Sequence, residues 1–197
     1  MEINTKYLNF FGNLKKRSKK PTAVVVHHTC TKTPEKTRSA LKEKGCSTHY
    51  EIDRDGTIYQ YVDPMQIASH CGSANIHTIG IDITHVKDGK WTDEQYASAN
   101  WLAHYLHDKY GIKLEVNEAL EGFWPHKALG NTVCPQDFDL HKMVPEESKE
   151  KPEPVIDDDE EDFDVVKRIV QLIGVVFVDG RRDELRGAIE SHFPSLL

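Results

Sequence analysis

The stretch VVVHHTC at residues 24–30 restricts the fold of this chain more than any other part of the sequence. Three consecutive β-branched residues favour a buried, extended strand. Two histidines and a cysteine follow directly. Because side chains alternate faces along a strand, His27 and His28 point in opposite directions and cannot both bind one ion. The end of this strand is therefore a candidate site for chemistry that only one of the two histidines faces.

Strand and helix signals alternate between residues 21 and 145, which we take as the main domain. This alternation predicts an α/β fold, with a mixed central β-sheet flanked by helices. The Asp55-Gly56 pair between two alternating segments predicts a β-hairpin. The patterns predict strands over 22–28, 48–53, 57–63 and 78–84, and helices over 34–44 and 92–110.

Both predicted helices carry start signals. Thr33 is an N-cap residue and Pro34 suits the first turn, so the first helix begins there. Thr92 and Gln95 have the spacing of a capping box, which predicts the start of the second helix. Gly111 follows the last apolar position of that helix and predicts its end.

The regions outside the main domain differ in composition. The chain has a net charge of −7. Most of this acidity lies in residues 146–162, where two prolines and few large apolar residues predict an extended acidic linker. Residues 1–20 form a basic N-terminal arm that we interpret as a solvated tail, with contact to an anionic polymer or membrane as the alternative. Residues 163–197 carry two short amphipathic patterns, which predict a small helical C-terminal module.

Several classes of protein do not fit this sequence. No apolar run approaches the roughly 20 residues of a transmembrane helix. The N-terminus lacks the order of charged and apolar residues of a secretory signal, so we expect synthesis in the cytoplasm. The four cysteines have irregular spacing, which favours thiol or metal roles over disulfides. An acidic main domain also gives no reason to expect nucleic-acid binding.

A second group of possible metal ligands lies in the segment PHKALGNTVCPQDFD. Its His126 and Cys134 occur in a loop that contains glycine and proline and can bend both side chains onto one ion. Two imidazoles and one thiolate, with one open position, form a catalytic zinc arrangement. Spacing alone leaves the alternative open, because single histidines and cysteines are usually packed or solvated.

Four blocks occur along the chain in the order VVVHHT, STHYEIDRDGTIYQYVD, ASHCGSANIHTIGIDI and PHKALGNTVCPQDFD. Together and in this order they resemble the zinc-dependent N-acetylmuramoyl-L-alanine amidases, which include phage endolysins and peptidoglycan recognition proteins. The resemblance covers about residues 22–140 and implies that Zn²⁺ is bound by His27, His126 and Cys134. It gives Cys30 no role, and we expect a buried or half-buried thiol there.

The resemblance also implies an acid–base residue. Some relatives have a tyrosine where this chain has Thr48, which cannot shuttle protons near neutral pH. Other relatives have a glutamate where this chain has Asp82. We therefore predict Asp82 as general base and then general acid, with a purely structural carboxylate as the alternative.

Other residues of the blocks are candidates for binding the reacting groups. Thr132 lies two residues before the predicted cysteine ligand, and its hydroxyl is a candidate donor to the developing oxyanion. The alternative for Thr132 is a hydroxyl that only caps the loop. His28, His70 and Asn75 are candidate substrate-binding residues, and a structural role is the alternative for His28.

The function implied by the resemblance is hydrolysis of the amide bond between N-acetylmuramic acid and L-alanine in peptidoglycan. We expect a phage-type endolysin that acts on the cell wall after release. The alternatives are a non-catalytic peptidoglycan-binding module and an intracellular amidase that recycles muropeptides. Residues 163–197 are then a candidate for wall binding or for self-association.

Overall fold

The computed structural model describes residues 1–85, 89–116 and 120–145. Within these residues a six-stranded sheet has the order β1-β4-β3-β5-β2-β6. The fold is the predicted α/β class with a mixed sheet and flanking helices. The elements are β1 (Ile3–Asn4), β2 (Ala23–Thr29), α1 (Pro34–Glu43), β3 (Tyr50–Ile52), β4 (Ile58–Gln60), β5 (Thr78–Thr84), α2 (Asp93–Tyr110), β6 (Gly122–Pro125) and α3 (Leu140–Met143), with short 3-10 turns at Gly72–Ile76 and His126–Ala128.

The centre of the sheet is a parallel pair, β2 and β5, matched over their whole lengths from Ala23 opposite Thr78 to Thr29 opposite Thr84. On either side, β3 pairs with β5 and β6 pairs with β2, both in parallel. Because these strands are parallel, the carboxyl ends of β2, β5 and β6 lie at the same edge of the sheet. This edge is where ligands bind in open α/β sheets.

The predicted hairpin is confirmed. Strands β3 and β4 pair antiparallel, and the turn between them contains Gly56 with a φ of 84°. A left-handed φ favours glycine because it has no Cβ. The Asp55 carboxylate accepts the backbone N–H of Thr57 at 2.9 Å, which fixes the turn.

Both predicted helices are present. The Thr92 hydroxyl accepts the backbone N–H of Gln95, and the Gln95 side chain accepts the backbone N–H of Thr92, each at 3.1 Å. This reciprocal pair is the predicted capping box. Gly111 ends α2 in the left-handed conformation. Thr33 caps α1 as predicted, by accepting the backbone N–H of Lys36.

The two faces of the sheet differ in chemistry. One face packs against α2 in a single apolar cluster that includes Val24, Val26, Ile79, Ile81, Ile83, Ala99, Leu102 and Leu106. Each of these larger side chains contributes about 1.5–3 kcal/mol by burial. The alternation of side chains places His27, Asp82 and Glu51 on the opposite face. The site face is therefore polar although it is buried.

The basic N-terminal arm is not a solvated tail, and that interpretation is wrong. Strand β1 pairs with β4. Arg17 is only 6% exposed, and its guanidinium donates to the carbonyl oxygens of Gln66, Ile76 and Thr78 at 3.1, 3.0 and 2.9 Å. A cation with five donors can satisfy several backbone carbonyls at once, which compensates for its burial.

The predicted acidic linker (146–162) and helical module (163–197) lie outside the described residues and stay predictions. Within the described ranges, no helix combines the length and apolar character needed to cross a membrane.

Candidate metal centre and active site

Three potential metal ligands converge at the edge of the sheet. One ligand atom each from His27, His126 and Cys134 lies within 4.8 Å of the other two. These are the three residues that the sequence predicts. They come from the end of β2, the residue after β6 and a more distant loop, so only the folded chain brings them together.

Strand register explains the histidine pair. Val26 of β2 is opposite Pro125, the last residue of β6. The residues that follow, His27 in β2 and His126 directly after β6, also lie side by side. Their ring centroids are 4.4 Å apart. The pairing of β2 with β6 thus brings two imidazoles together, one from within a strand and one from the turn that follows the neighbouring strand.

Backbone contacts position the third ligand. The Cys134 sulfur accepts the backbone N–H of His28 at 3.3 Å and lies 4.0 Å from Nδ1 of His27. The backbone N–H of Lys127 donates to the carbonyl oxygen of Cys134. The loop is therefore anchored at both the strand end and the turn that carries His126.

The electrostatics suit a cation. Burial lowers the pKa of His27 well below its usual range, and burial also lowers the pKa of His126. Both imidazoles are therefore neutral and able to donate a lone pair to a metal. Burial raises the pKa of the Cys134 thiol to about 11. This set of two imidazole nitrogens and one sulfur fits Zn²⁺.

Asp82 lies beside His27 on the neighbouring strand. It is directly opposite His27 in the pairing of β5 with β2, and paired residues of adjacent strands present their side chains on the same face. Burial, with a further contribution from the Glu51 charge, raises the pKa of Asp82 to about 7, and a hydrogen bond from Thr48 opposes this rise. A carboxyl group with a pKa near neutrality can both accept and return a proton.

Glu51 is a second buried carboxylate that the sequence analysis missed. It lies opposite Asp82 in the pairing of β3 with β5 and has no exposed surface. Its oxygens accept hydrogen bonds from the hydroxyls of Tyr61 at 2.5 Å and Thr84 at 2.9 Å. A charged residue inside the predicted strand THYEID was the available signal, because a buried strand seldom carries one without partners.

The Thr132 hydroxyl oxygen accepts the backbone N–H of Cys134 at 3.2 Å. This bond matches the loop-capping alternative. It uses an acceptor lone pair and leaves the hydroxyl proton available for a substrate oxygen. The geometry is therefore compatible with both roles.

His28 points away from the three ligands, as strand alternation predicts. Its Nδ1 is buried and has no hydrogen-bond partner among the described residues, and its ring centroid lies 6.0 Å from that of His85. Cys30 lies nearby, with its sulfur 3.7 Å from Nε2 of His28. Cys30 is exposed, so the expectation of a buried or half-buried thiol is wrong, because the chain has left the sheet at this point.

The other two candidate substrate residues lie in the loop before β5. Nδ1 of His70 is 3.0 Å from Nε2 of His27, so the structure places His70 against a potential metal ligand. The Asn75 side-chain oxygen accepts the backbone N–H groups of His70 at 3.1 Å and Cys71 at 2.7 Å. Asn75 therefore holds the shape of this loop.

Solved structures share this architecture. The N-acetylmuramoyl-L-alanine amidase LysC from Clostridium intestinale URNW has a TM-score of 0.57 and 26% identity, over 73% of this chain and 95% of that chain. The Ph2119 endolysin from Thermus scotoductus MAT2119 bacteriophage Ph2119 has a TM-score of 0.59 and 21% identity, over 73% and 99%. The fold is thus that of amidase-type α/β domains.

The sequence identifies the family. The profile described as N-acetylmuramoyl-L-alanine amidase matches residues 17–137, which is more than half of the chain. The chain belongs to this family. A Rickettsia conorii protein that is provisionally named as an N-acetylmuramoyl-L-alanine amidase is 32% identical over 78 residues, which cover 36% of this chain and 29% of that relative. The match thus spans less than a third of the relative's length.

Proposed function

We propose that this protein hydrolyses the amide bond between N-acetylmuramic acid and L-alanine in peptidoglycan, as a zinc-dependent enzyme. The observation that carries the proposal is the convergence of His27, His126 and Cys134 within 4.8 Å. Membership of the amidase family supports the choice of bond and substrate.

The three proposed ligands have the properties that zinc binding requires. When bound, Zn²⁺ supplies Lewis-acid chemistry, which makes water a stronger nucleophile at neutral pH and polarises a carbonyl group. The buried, neutral His27 and His126 offer lone pairs without first losing a proton. Cys134 releases its thiol proton on binding, and the N–H of His28 then donates to the thiolate.

In this proposal Asp82 carries the proton transfers. Its carboxylate accepts the proton of the attacking water and then returns that proton to the nitrogen of the leaving L-alanine. In the metal-free site burial raises the pKa of Asp82 to about 7, which makes this carboxylate a stronger base than an exposed aspartate. The carboxylate is fixed by a central strand of the sheet, which limits the reorientation needed between the two transfers.

Thr132 is proposed to stabilise the transition state. As water attacks, the carbonyl oxygen of the scissile amide gains negative charge. The free hydroxyl proton of Thr132 donates to this oxygen, while its own oxygen keeps the bond from the Cys134 N–H. Such donors act mainly on the transition state.

We further propose the endolysin role, with synthesis in the cytoplasm and action on the cell wall after release. The shared fold with the Ph2119 endolysin is compatible with this role. An endolysin hydrolyses intact sacculi, whereas a recycling enzyme prefers small soluble muropeptides. Rates on the two substrates, measured side by side, separate these roles, and a strong preference for soluble fragments would contradict the endolysin.

The proposed reaction is tested by digestion of purified peptidoglycan with and without a zinc chelator, followed by mass spectrometry. We expect stem peptides with a free L-alanine amino group, which disappear on chelation and return with Zn²⁺. The Cys134→Ser variant is the matched control and is expected to leave the wall uncut. If the glycan–peptide bonds stay intact in every digest, although zinc is present and the protein binds the wall, the amidase activity is rejected in favour of a peptidoglycan-binding module.

A further inference from the structure

The two ring nitrogens of His27 face different partners. Nδ1 lies 4.0 Å from the Cys134 sulfur, on the side of the proposed zinc ligands. Nε2 lies 3.0 Å from Nδ1 of His70. A histidine binds a metal through an unprotonated nitrogen, so ligation through Nδ1 requires the proton on Nε2. In that tautomer His27 donates a hydrogen bond to His70.

The contacts of His70 match this arrangement. When Nδ1 of His70 accepts from His27, its own proton resides on Nε2, which is 3.3 Å from the Thr78 hydroxyl oxygen. The Thr78 hydroxyl in turn donates to the carbonyl oxygen of Ala74 at 2.9 Å. One set of hydrogen positions therefore satisfies every bond from His27 to a backbone carbonyl.

The ring of His70 packs closely against the backbone of Gly80. A Cβ at position 80 would lie 2.8 Å from Cγ and 2.9 Å from Nδ1 of His70, and Gly80 leaves this space free. The backbone N–H of His70 donates to the Asn75 side chain.

We propose that His70 is a positioning residue, which fixes the tautomer and the orientation of His27 for metal binding. It acts through His27 and needs no contact with the substrate. This inference rests on the zinc site of the proposed function but not on the amidase reaction. Hydrogen-bond partners of a metal-bound histidine typically change metal affinity by about 10- to 100-fold.

The test is the zinc affinity of the full-length protein, measured by competition with a chromogenic chelator. We expect His70→Leu to weaken zinc binding by about 10- to 100-fold. His70→Asn keeps an acceptor near the place of Nδ1 and is expected to recover most of the affinity. His104→Leu makes the same chemical change at an exposed position of α2 and is expected to bind zinc like the wild type.

A second readout reports the geometry of the site. In the Co²⁺-substituted protein, the visible absorption bands depend on how the ligands are arranged around the metal. We expect these bands to shift in His70→Leu and to stay unchanged in His104→Leu. If His70 does not act on His27, neither the absorption bands nor the zinc affinity of the folded His70→Leu protein will change, and that result would overturn the inference.

Folded His70→Leu with zinc affinity within about twofold of wild type would overturn the inference. If that variant does not fold, Thr78→Val removes the hydroxyl that accepts from His70 and donates to the carbonyl oxygen of Ala74. We expect several-fold weaker zinc binding in this variant, and unchanged affinity would contradict the inference. A wild-type protein that binds no zinc would overturn the metal site and the inference together. A wild-type protein that binds zinc but leaves peptidoglycan intact would reject the proposed reaction alone.

Discussion

Asp82 lies directly opposite His27 in the register of the two central parallel strands. Both side chains are on the polar face of the sheet, with 7% and 6% of their surface exposed. The proposed base is therefore held beside a proposed metal ligand by strand pairing and not by a loop. Rigid elements hold reacting groups more accurately than loops do.

We expect Asp82→Asn to lower kcat by at least about 100-fold, because the amide cannot accept and return a proton. Zinc content is expected to stay the same, since the metal ligands are untouched. Asp82→Glu keeps the acid–base group and is expected to retain measurable activity. The measurement is amide hydrolysis on peptidoglycan, with Asp55→Asn in the exposed turn as the control. A kcat close to that of the wild type in Asp82→Asn would show that Asp82 is not the acid–base residue.

The pH dependence of stability gives a second test of Asp82 in the metal-free protein. Folding raises the pKa of Asp82 from 3.8 to about 7, so its contribution to stability is full below about pH 4 and is lost as pH rises through 7. This loss corresponds to about 4 kcal/mol. Urea unfolding with chelator present should show a smaller decrease between pH 5 and pH 8 in Asp82→Asn than in the wild type. Equal decreases would mean that folding does not raise this pKa.

Cys134 and Cys30 both lie near the end of β2, and substitution of each in turn distinguishes a metal ligand from a neighbouring thiol. We expect Cys134→Ser to lose tightly bound zinc and at least about 100-fold in activity, because a hydroxyl is a poor zinc ligand compared with a thiolate. Cys30→Ser changes an exposed thiol and should preserve both. Zinc content by mass spectrometry and amidase assays provide the measurements. A Cys134→Ser protein with zinc and full activity would make the ligand assignment wrong.

Thr132→Val tests whether the hydroxyl acts on the reaction or only on the loop. Loss of an oxyanion donor should lower kcat by about 100-fold with little change in KM. Thr132→Ser keeps the hydroxyl and should behave like the wild type. Zinc affinity, measured in parallel, distinguishes the two roles. Unchanged kcat with weakened zinc binding would reject the oxyanion role and show that Thr132 acts only by its hydrogen bond to Cys134.

Arg17 joins the N-terminal arm to the loop before β5. Arg17→Leu leaves several buried carbonyls without a donor, and we expect a loss of about 3 kcal/mol or more in the free energy of unfolding. Lys20→Leu removes a positive charge from an exposed position of the same arm and should change stability by less than about 0.5 kcal/mol. Urea denaturation compares the two. Equal stabilities would show that the arm is not held by Arg17.

The sequence predicted those features that depend on neighbouring residues. The capping box at Thr92 and Gln95 and the turn at Gly56 are local patterns, because the hydrogen bonds and the backbone conformation involve residues only a few positions apart. Strand alternation separated His27 from His28. The resemblance to the amidases then supplied the three metal ligands that converge in the structure.

Local patterns of this kind do not predict contacts between segments that are far apart in the chain. No local pattern predicts β1 or β6, because they are short edge strands whose hydrogen-bond partners lie in distant segments. The burial of Arg17 depends on carbonyls some 50 to 60 positions away along the chain.

The amino-acid sequence by itself thus determined the α/β class, the main helices and hairpin, and which residue types are available for a metal site. The tertiary structure alone decided that Glu51 lies opposite Asp82 and that Nε2 of His27 faces His70. The physical reason is that strand register and ring orientation are set by packing between segments far apart in the chain. Local sequence determines the side-chain periodicity of a strand or helix, whereas the residue opposite it on the adjacent strand depends on the whole fold.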